Sequence, residues 1–294
     1  MELLDLLRLG VALVICLLAS YSDWKTRVAK DGYWLVMGVV GLTLIATELA
    51  LASANWLYFL FLFPIGFVFV DLFWDRKGMF EDGINPVPIV LYALGIATLA
   101  CLFVYLKDEV LFWRLAAVLV MFAIIFLLYQ FDIIKGGADA KALMALSILF
   151  PAYPIIDGLP LIHITSNLAT VVFPFSLLVL FNAALLSIAV PLGLLFYNAA
   201  KKEVRLPAML LGYRTTIQDA RGKFVWSMER MVNGERKFVY FPKEDEEENA
   251  ILDALQQAGV NEIWVTPKIP FLIPITVSIV FSAVVGNIVM LLIH

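Results

Sequence analysis

Two aspartates stand at the ends of long apolar runs, where carboxyl groups could perform acid–base chemistry. Asp23 closes the first apolar run, within SYSDWKTRVAKDGYW, and Asp139 opens a later one, within DIIKGGADAKALMALS. Charges at membrane depth are costly, so such acids are functional hypotheses by default. Two carboxyl groups held together resist double ionisation, so one stays an acid while the other is a base. Such a pair can activate a water molecule and protonate a leaving amine.

Gly136 and Gly137 directly precede Asp139 in the motif GGAD. Residues without Cβ let an extended peptide substrate approach the backbone, or they permit unusual φ and ψ angles before a helix. The alternative stays open that the glycines only form a turn and that Asp139 is a first-turn acid favoured by the helix dipole. Lys135 and Lys141 flank the motif and are interpreted as topology markers, not as catalytic residues.

The composition is that of an integral membrane protein. The chain has 294 residues, of which 62% are hydrophobic and 16% charged, and its mean hydropathy is +0.92. The net charge of −4 gives no basic footprint for nucleic acid. Cys16 and Cys101 lie in separate apolar runs without a CxxC pair, so neither a zinc site nor a disulfide framework is predicted.

Apolar runs of about 20 residues predict membrane-spanning helices, and about eight are found, with a range of six to eight. The first is interpreted as a span and not as a cleaved signal peptide, because its leading residues MELLD are acidic and its basic residues follow the apolar run. The positive-inside rule places Asp23, Asp139 and the polar segment from Lys201 on the cytoplasmic side and both termini outside. Lys107 and Arg114 are the basic residues that this orientation would place outside. The predicted spans are 3–21, 33–52, 55–73, 87–106, 111–130, 141–156, 168–197 and 270–292.

The fold class predicted is a polytopic α-helical membrane protein with a small cytoplasmic α+β domain before the last helix. The domains are residues 1–197, 198–268 and 269–294, because the middle segment is rich in charge. Asn233-Gly234 between aromatic and apolar runs predicts a type I′ hairpin. The run EDEEENAILDALQQAG predicts a helix ending before Gly259, and EIWV predicts a closing strand.

Other acids and a histidine lie in or near the apolar runs, and they are interpreted as solvated groups or groups that reach water from a span end. These residues are Glu48, Asp71, Asp75, Glu81, Asp82 and His163.

The motifs resemble those of archaeal preflagellin and prepilin peptidases, in the type IV prepilin peptidase group of membrane aspartyl proteases. GGAD at 136–139 is similar to their GxGD pattern, with Ala138 in place of the second glycine, and SDWKTR at 22–27 resembles their first-aspartate motif. EIWVTPKIPFLIPIT at 262–276 is similar to the junction before the last span, and FPF at 173–175 adds a weaker match.

The resemblance implies a hydrolase that removes the short basic leader from pilin-like or archaellin precursors. The cut would lie at the cytoplasmic face of an archaeal cell membrane, with Asp23 and Asp139 as the catalytic pair. No metal, nucleotide or other cofactor is implied, and no nucleic-acid partner. The cysteine-rich, N-methylating portion of bacterial relatives has no counterpart, so peptidase activity without methylation is expected.

Some features leave alternatives open. The family has about six spans, whereas this sequence predicts four spans between Asp23 and Asp139, with residues 55–106 as the surplus. A presenilin-type protease that cuts within a membrane span, an ion-coupled transporter and a non-cutting scaffold remain alternatives. The sequence does not settle the precursor, the oligomeric state, or which aspartate is the acid.

Overall fold

The computed structural model describes residues 2–75, 84–162, 173–240, 242 and 247–287. Glu81, Asp82 and His163 lie outside these residues, as does the end of the predicted last span. The chain forms two compact units, which are Met1–Ala184 with Pro270–His294, and Leu185–Ile269. The domain boundaries expected from the sequence stay a prediction.

The described part of the chain is mostly helical. Polar caps begin several helices: the Asn85 side chain accepts a hydrogen bond from Val87 N at 3.4 Å, and Pro86 occupies the first helical position. The α-helices are α1 Glu2–Thr26, α2 Asp31–Leu51, α3 Leu62–Asp71, α4 Pro86–Leu106, α5 Val110–Gln130, α6 Gly137–Leu149, α7 Phe175–Ser187, α8 Ala189–Ala200, α9 Ala208–Leu211, α10 Ile217–Arg221, α11 Glu248–Gln257 and α12 Leu272–Val284, and a 3-10 helix at Trp56–Phe61 precedes α3.

Several helices are long and apolar enough to cross a membrane. Within the described residues there are five such stretches: α1, α2, α4, α5 and the run Phe175–Ala200 formed by α7 and α8. Trp56–Asp71 and Leu272–Val284 are shorter apolar helices. The described part of the chain is therefore helical with five candidate spans, and the count of about eight for the whole chain stays a prediction.

Helix α6 lies in the core of the first unit. It has 13 residues, and all but Gly137, Ala138 and Lys141 are buried. It packs against α1, α2, α3 and α5. A Cβ atom at Gly41 of α2 would lie 2.9 Å from the backbone nitrogen of Leu149, so the glycine lets the two helices approach closely.

The second unit carries the sheets. Strand β5 lies between β1 and β2 in an antiparallel sheet, and β3 pairs with β4 in a separate hairpin. The strands are β1 Tyr213–Thr216, β2 Val225–Ser227, β3 Glu229–Val232, β4 Glu235–Phe238 and β5 Glu262–Pro267.

Local signals in this unit predicted its elements correctly. The hairpin turn has positive φ at Asn233 (54°) and Gly234 (81°), as a type I′ turn requires. Helix α11 ends at Gln257, and Gly259 follows with φ 78°. The predicted hairpin, helix and closing strand are confirmed, and they form a small sheet domain near the C-terminus.

Candidate active site

Asp23 lies in the last turn of α1, where polar side chains tie down the end of the helix. Ser22 Oγ donates to Val28 O at 2.8 Å, and Thr26 Oγ1 donates to Ser22 O at 2.8 Å. Arg27 then adopts a left-handed conformation with φ 58°, and its N–H donates to Asp23 O at 2.9 Å. These bonds hold a half-buried carboxyl group at a defined helix end.

Asp139 lies in the first turn of α6 and is 9% exposed. It precedes the apolar run 141–156 and lies outside the candidate membrane-spanning helices. The N-cap residue Gly136 is extended, with φ −86° and ψ 118°. A Cβ atom on Gly136 would overlap Asp139 Oδ2, because this carboxyl group folds back over the glycine.

The glycine pair thus divides into two different residues. Neither Gly136 nor Gly137 has a left-handed φ, so backbone freedom is not what they supply. Gly136 leaves space for the carboxyl group of Asp139, whereas a Cβ on Gly137 would make only ordinary contact with the Tyr129 ring, 3.6 Å from its hydroxyl. Sequence alone does not separate the two glycines.

The fold brings Asp23 and Asp139 into electrostatic interaction. Burial raises the pKa of the Asp139 carboxyl to about 7, and the negative charge of Asp23 acts in the same direction. Burial disfavours the charged form, and a nearby like charge adds to this. Asp139 therefore keeps its proton in acidic solution up to about pH 7, beside a more exposed carboxyl group. This is the arrangement of one acid and one base.

Two basic residues beside the pair have different partners. Arg27 follows Asp23 by four residues, and its charge interacts with that carboxyl group. The i, i+4 spacing could have indicated this contact from the sequence. Lys141 instead donates to Asp31 Oδ1 of α2 at 2.7 Å and lies 4.7 Å from the centre of the Phe73 ring. Lys141 therefore links α6 to α2.

Two of the remaining acids, Glu48 and Asp71, have structural partners. Glu48 is paired with Arg8, which is 3% exposed, and lies 3.6 Å from Arg114. The interpretation of Glu48 as a solvated group is therefore corrected, because its charge is neutralised inside the helical unit. Asp71 Oδ2 accepts a hydrogen bond from the Tyr92 hydroxyl at 2.6 Å. In the described part of the chain, no group of three or more His, Cys, Asp or Glu could hold a metal ion.

Fold and site together define a class: a multi-helix membrane protein with two interacting carboxyl groups at helix ends. The family model described as Archaeal Peptidase A24 C-terminus Type II matches residues 204–288. This match covers residues 204–269 of the sheet unit and the segment after it, and it includes neither Asp23 nor Asp139.

Curated relatives extend the similarity to the rest of the chain. The chain is 24% identical to a preflagellin peptidase of Methanococcus voltae over 95% of its own length and 94% of that protein. It is 30% identical to the preflagellin peptidase of Methanocaldococcus jannaschii over 54% of this chain and 66% of that protein. For that of Methanococcus maripaludis the identity is 28%, over 52% and 64%. These comparisons confirm the predicted resemblance to archaeal preflagellin peptidases and, with it, the prediction of a protease.

Proposed function

We propose that this chain removes the leader peptide from archaellin precursors by aspartate-catalysed hydrolysis, with Asp23 and Asp139 as the catalytic pair. The observation that carries the assignment is the buried Asp139 carboxyl group at the start of α6, on which the charge of Asp23 acts. The curated relatives are named preflagellin peptidases, which supports an archaellin precursor as the substrate.

The environments of the two carboxyl groups suggest their roles. Asp139 is the more buried and holds the proton, so it is the general acid. Asp23, half-buried and near the charge of Arg27, is the base that takes a proton from water. The water oxygen then bonds to the scissile carbonyl carbon. Asp139 protonates the amine nitrogen as the C–N bond breaks, and the proton that Asp23 took from water then passes to Asp139, which restores the starting state.

The substrate would reach the pair along the extended backbone at Gly136. The residue is half-buried and lacks a side chain, so a peptide strand can lie next to it. Gly137 leaves the same approach open below Tyr129. Lys25 lies in the last turn of α1, and Arg27 and Lys30 follow the helix.

We place the catalytic pair and the sheet unit on the cytoplasmic side of a multi-pass fold with about eight spans. The basic residues after α1 favour this orientation. Arg114 lies on the side that the positive-inside rule assigns to the exterior. Its charge is paired with Glu48 at 3.6 Å, so it counts less against the proposed orientation. Asp31, at the start of α2, pairs with Lys141, near the start of α6, so the starts of these two helices lie at the same end of the helical unit.

The deciding experiment is leader cleavage of an archaellin precursor by membranes that contain wild type, Asp23→Asn or Asp139→Asn protein. Asn keeps size and polarity but cannot act as a carboxylate, so each variant should lose cleavage while remaining folded. Asp132→Asn is the matched control, because this exposed residue of the same loop has φ 56°, which Asn tolerates. N-terminal sequencing of the product identifies the cut.

Each outcome decides between readings. Cleavage by wild type and Asp132→Asn alone supports the aspartate pair. If all variants cleave equally, Asp23 and Asp139 are not the catalytic pair, although the protein is still a peptidase. If the folded protein cleaves none of a panel of precursors, leader removal is rejected. The presenilin-type protease and the ion-coupled transporter are then the functions to test.

A further inference from the structure

One face of the sheet unit is unusually basic. We call it the basal face and define it as residues 201–206, 223–226 and 268–269. It carries five cations, which are Lys201, Lys202, Arg205, Lys223 and Lys268, and one acid, Glu203. The other described residues from 207 to 267 carry five Lys or Arg and seven Asp or Glu. The segments of the basal face are therefore net positive, whereas the rest of the described unit is net negative.

The same face exposes apolar side chains. Val204 is 72% exposed, Leu206 69%, Phe224 48% and Ile269 41%. Single exposed apolar residues need no explanation, but four beside five cations form an amphipathic surface. Such a mixture of lysine with aliphatic and aromatic side chains suits the boundary between water and lipid.

Contacts join two segments of the basal face, 223–226 and 268–269, and a further hydrogen bond fixes the chain that follows 201–206 at the same strand. Lys268 N donates to Phe224 O at 2.9 Å, and the Lys268 ammonium lies 4.7 Å from the centre of the Trp226 ring. Thr266 Oγ1 donates to Leu211 O at 2.6 Å, which fixes the segment after residue 206 beside the end of β5. The face is therefore part of the folded unit and not a pair of loose linkers.

Both ends of the basal face continue into apolar helices. Residue 201 directly follows α8, and α12 begins at Leu272, three residues after Ile269. Asn198 of α8 is fully buried and donates to Met209 O at 2.9 Å and to Gly212 O at 2.7 Å. These bonds hold the end of α8 against α9 and the residue before β1, within the same unit.

We propose that the basal face lies on the anionic headgroup surface of the bilayer in which the chain is embedded. The lysine and arginine charges pair with lipid phosphates, and the apolar side chains enter the headgroup boundary. The negative remainder of the unit is then turned towards water. This inference rests on the membrane placement proposed above and not on the catalytic pair.

The test is a depth measurement on the full chain in lipid vesicles. A spin label is attached to Phe224→Cys in a Cys101→Ala background, where the remaining Cys16 is 1% exposed. Collision rates are measured with oxygen, which concentrates in the bilayer, and with a nickel chelate, which stays in water. The vesicles consist of phosphatidylcholine with or without phosphatidylglycerol. Lys237→Cys, on the exposed strand β4, is the matched water-facing site.

In vesicles with phosphatidylglycerol we expect nickel-chelate collisions at residue 224 to be several-fold rarer than at residue 237. High salt, or the charge reversal of Lys202→Glu with Lys223→Glu, should restore them, whereas Lys237→Glu should not. Equal accessibility at residues 224 and 237 would overturn the proposal. Protection that is independent of lipid charge would overturn the role of anionic lipid.

Leader cleavage in the same vesicles separates this inference from the proposed function. If residue 224 is not protected but cleavage is normal, the membrane contact of the basal face is rejected and the peptidase function is retained. If residue 224 is protected but the wild type does not cleave the precursor, the peptidase function is rejected and the membrane contact of the basal face is retained.

Discussion

At the residue scale, the carboxyl group of Asp139 is shaped by its own N-cap. It folds back over Gly136 at the start of α6, and the helix around it is buried. Burial and the charge of Asp23 both favour its protonated form. The position of the Asp139 carboxyl group thus depends on Gly136, and its protonation state depends on burial and on the charge of Asp23.

Gly136→Ala should reduce cleavage strongly, because the added Cβ would displace the Asp139 carboxyl group. Misplacement of a catalytic group by about 1 Å can cost on the order of a hundredfold in rate. Gly137→Ala is the matched control, since its Cβ makes only ordinary contacts beside Tyr129. Rates of precursor cleavage by the two purified variants check this, and equal rates would show that the space above Gly136 is unimportant.

The activity should depend on pH through Asp139. Its carboxyl, with a pKa of about 7, is protonated below this value and ionised above it. If Asp139 is the acid, kcat/KM should fall as pH rises past about 7, approaching tenfold per pH unit. The profile is measured with a precursor whose own charge is constant over that range. A profile that rises through pH 7 would assign Asp139 as the base instead.

The stability of the protein offers a readout without substrate. The ordinary pKa of Asp139 is 3.8 and its folded value is about 7, so between these values the folded state holds a proton that the unfolded state has lost. Stability from this group is therefore lost as pH rises from about 4 to about 7. Asp139→Asn should raise the melting temperature more at pH 8 than at pH 4.5. An equal change at both pH values would contradict the buried, protonated carboxyl.

At the element scale, α6 is positioned by close helix packing. It is short, almost wholly buried, and in backbone contact with α2 at Gly41. The Lys141–Asp31 ion pair links the same two helices near the first turn of α6. The depth and direction of Asp139 therefore follow from the packing of α2 and α6.

Gly41→Ala should destabilise the fold, because its Cβ would lie 2.9 Å from the Leu149 backbone nitrogen. Overpacking of this kind costs about 1–3 kcal/mol. Gly10→Ala is the matched control, since nothing lies within 4 Å of its Cβ and alanine favours helix. Thermal unfolding in detergent compares the two. A Gly41→Ala protein as stable as Gly10→Ala would mean that α2 and α6 are not in close contact.

At the scale of the whole molecule, two kinds of unit share one chain. Apolar helices form the first unit, and the sheet unit carries nearly half of the charged residues, 22 of 46. In the helical unit, Arg8, Glu48 and Arg114 gather at one end. Such paired charges let polar residues reside within a membrane-embedded bundle.

The orientation of the molecule is tested by cysteine labelling. Ala52→Cys, in the predicted external loop, should react with a membrane-impermeant maleimide in intact cells. Lys237→Cys, in the sheet unit, should react only after permeabilisation. Both residues are exposed, and both variants use the Cys101→Ala background. The opposite labelling pattern would invert the proposed topology.

The sequence by itself determined the features that depend on local chemistry. Long apolar runs predict membrane helices, because the bilayer interior demands about 20 such residues. Asn233-Gly234 and Gly259 predict a turn and a helix end, because few residues adopt positive φ easily. Asp23 and Asp139 were marked by their position beside apolar runs, and their catalytic roles stay a prediction.

Only the tertiary structure decided what depends on distant neighbours. It brought the charge of Asp23 to bear on Asp139 and paired Glu48 with the buried Arg8. It also showed that the helix within the predicted span 141–156 begins at Gly137, ends at Leu149 and is mostly buried. These features follow from packing between elements far apart in sequence, and no local pattern encodes such packing.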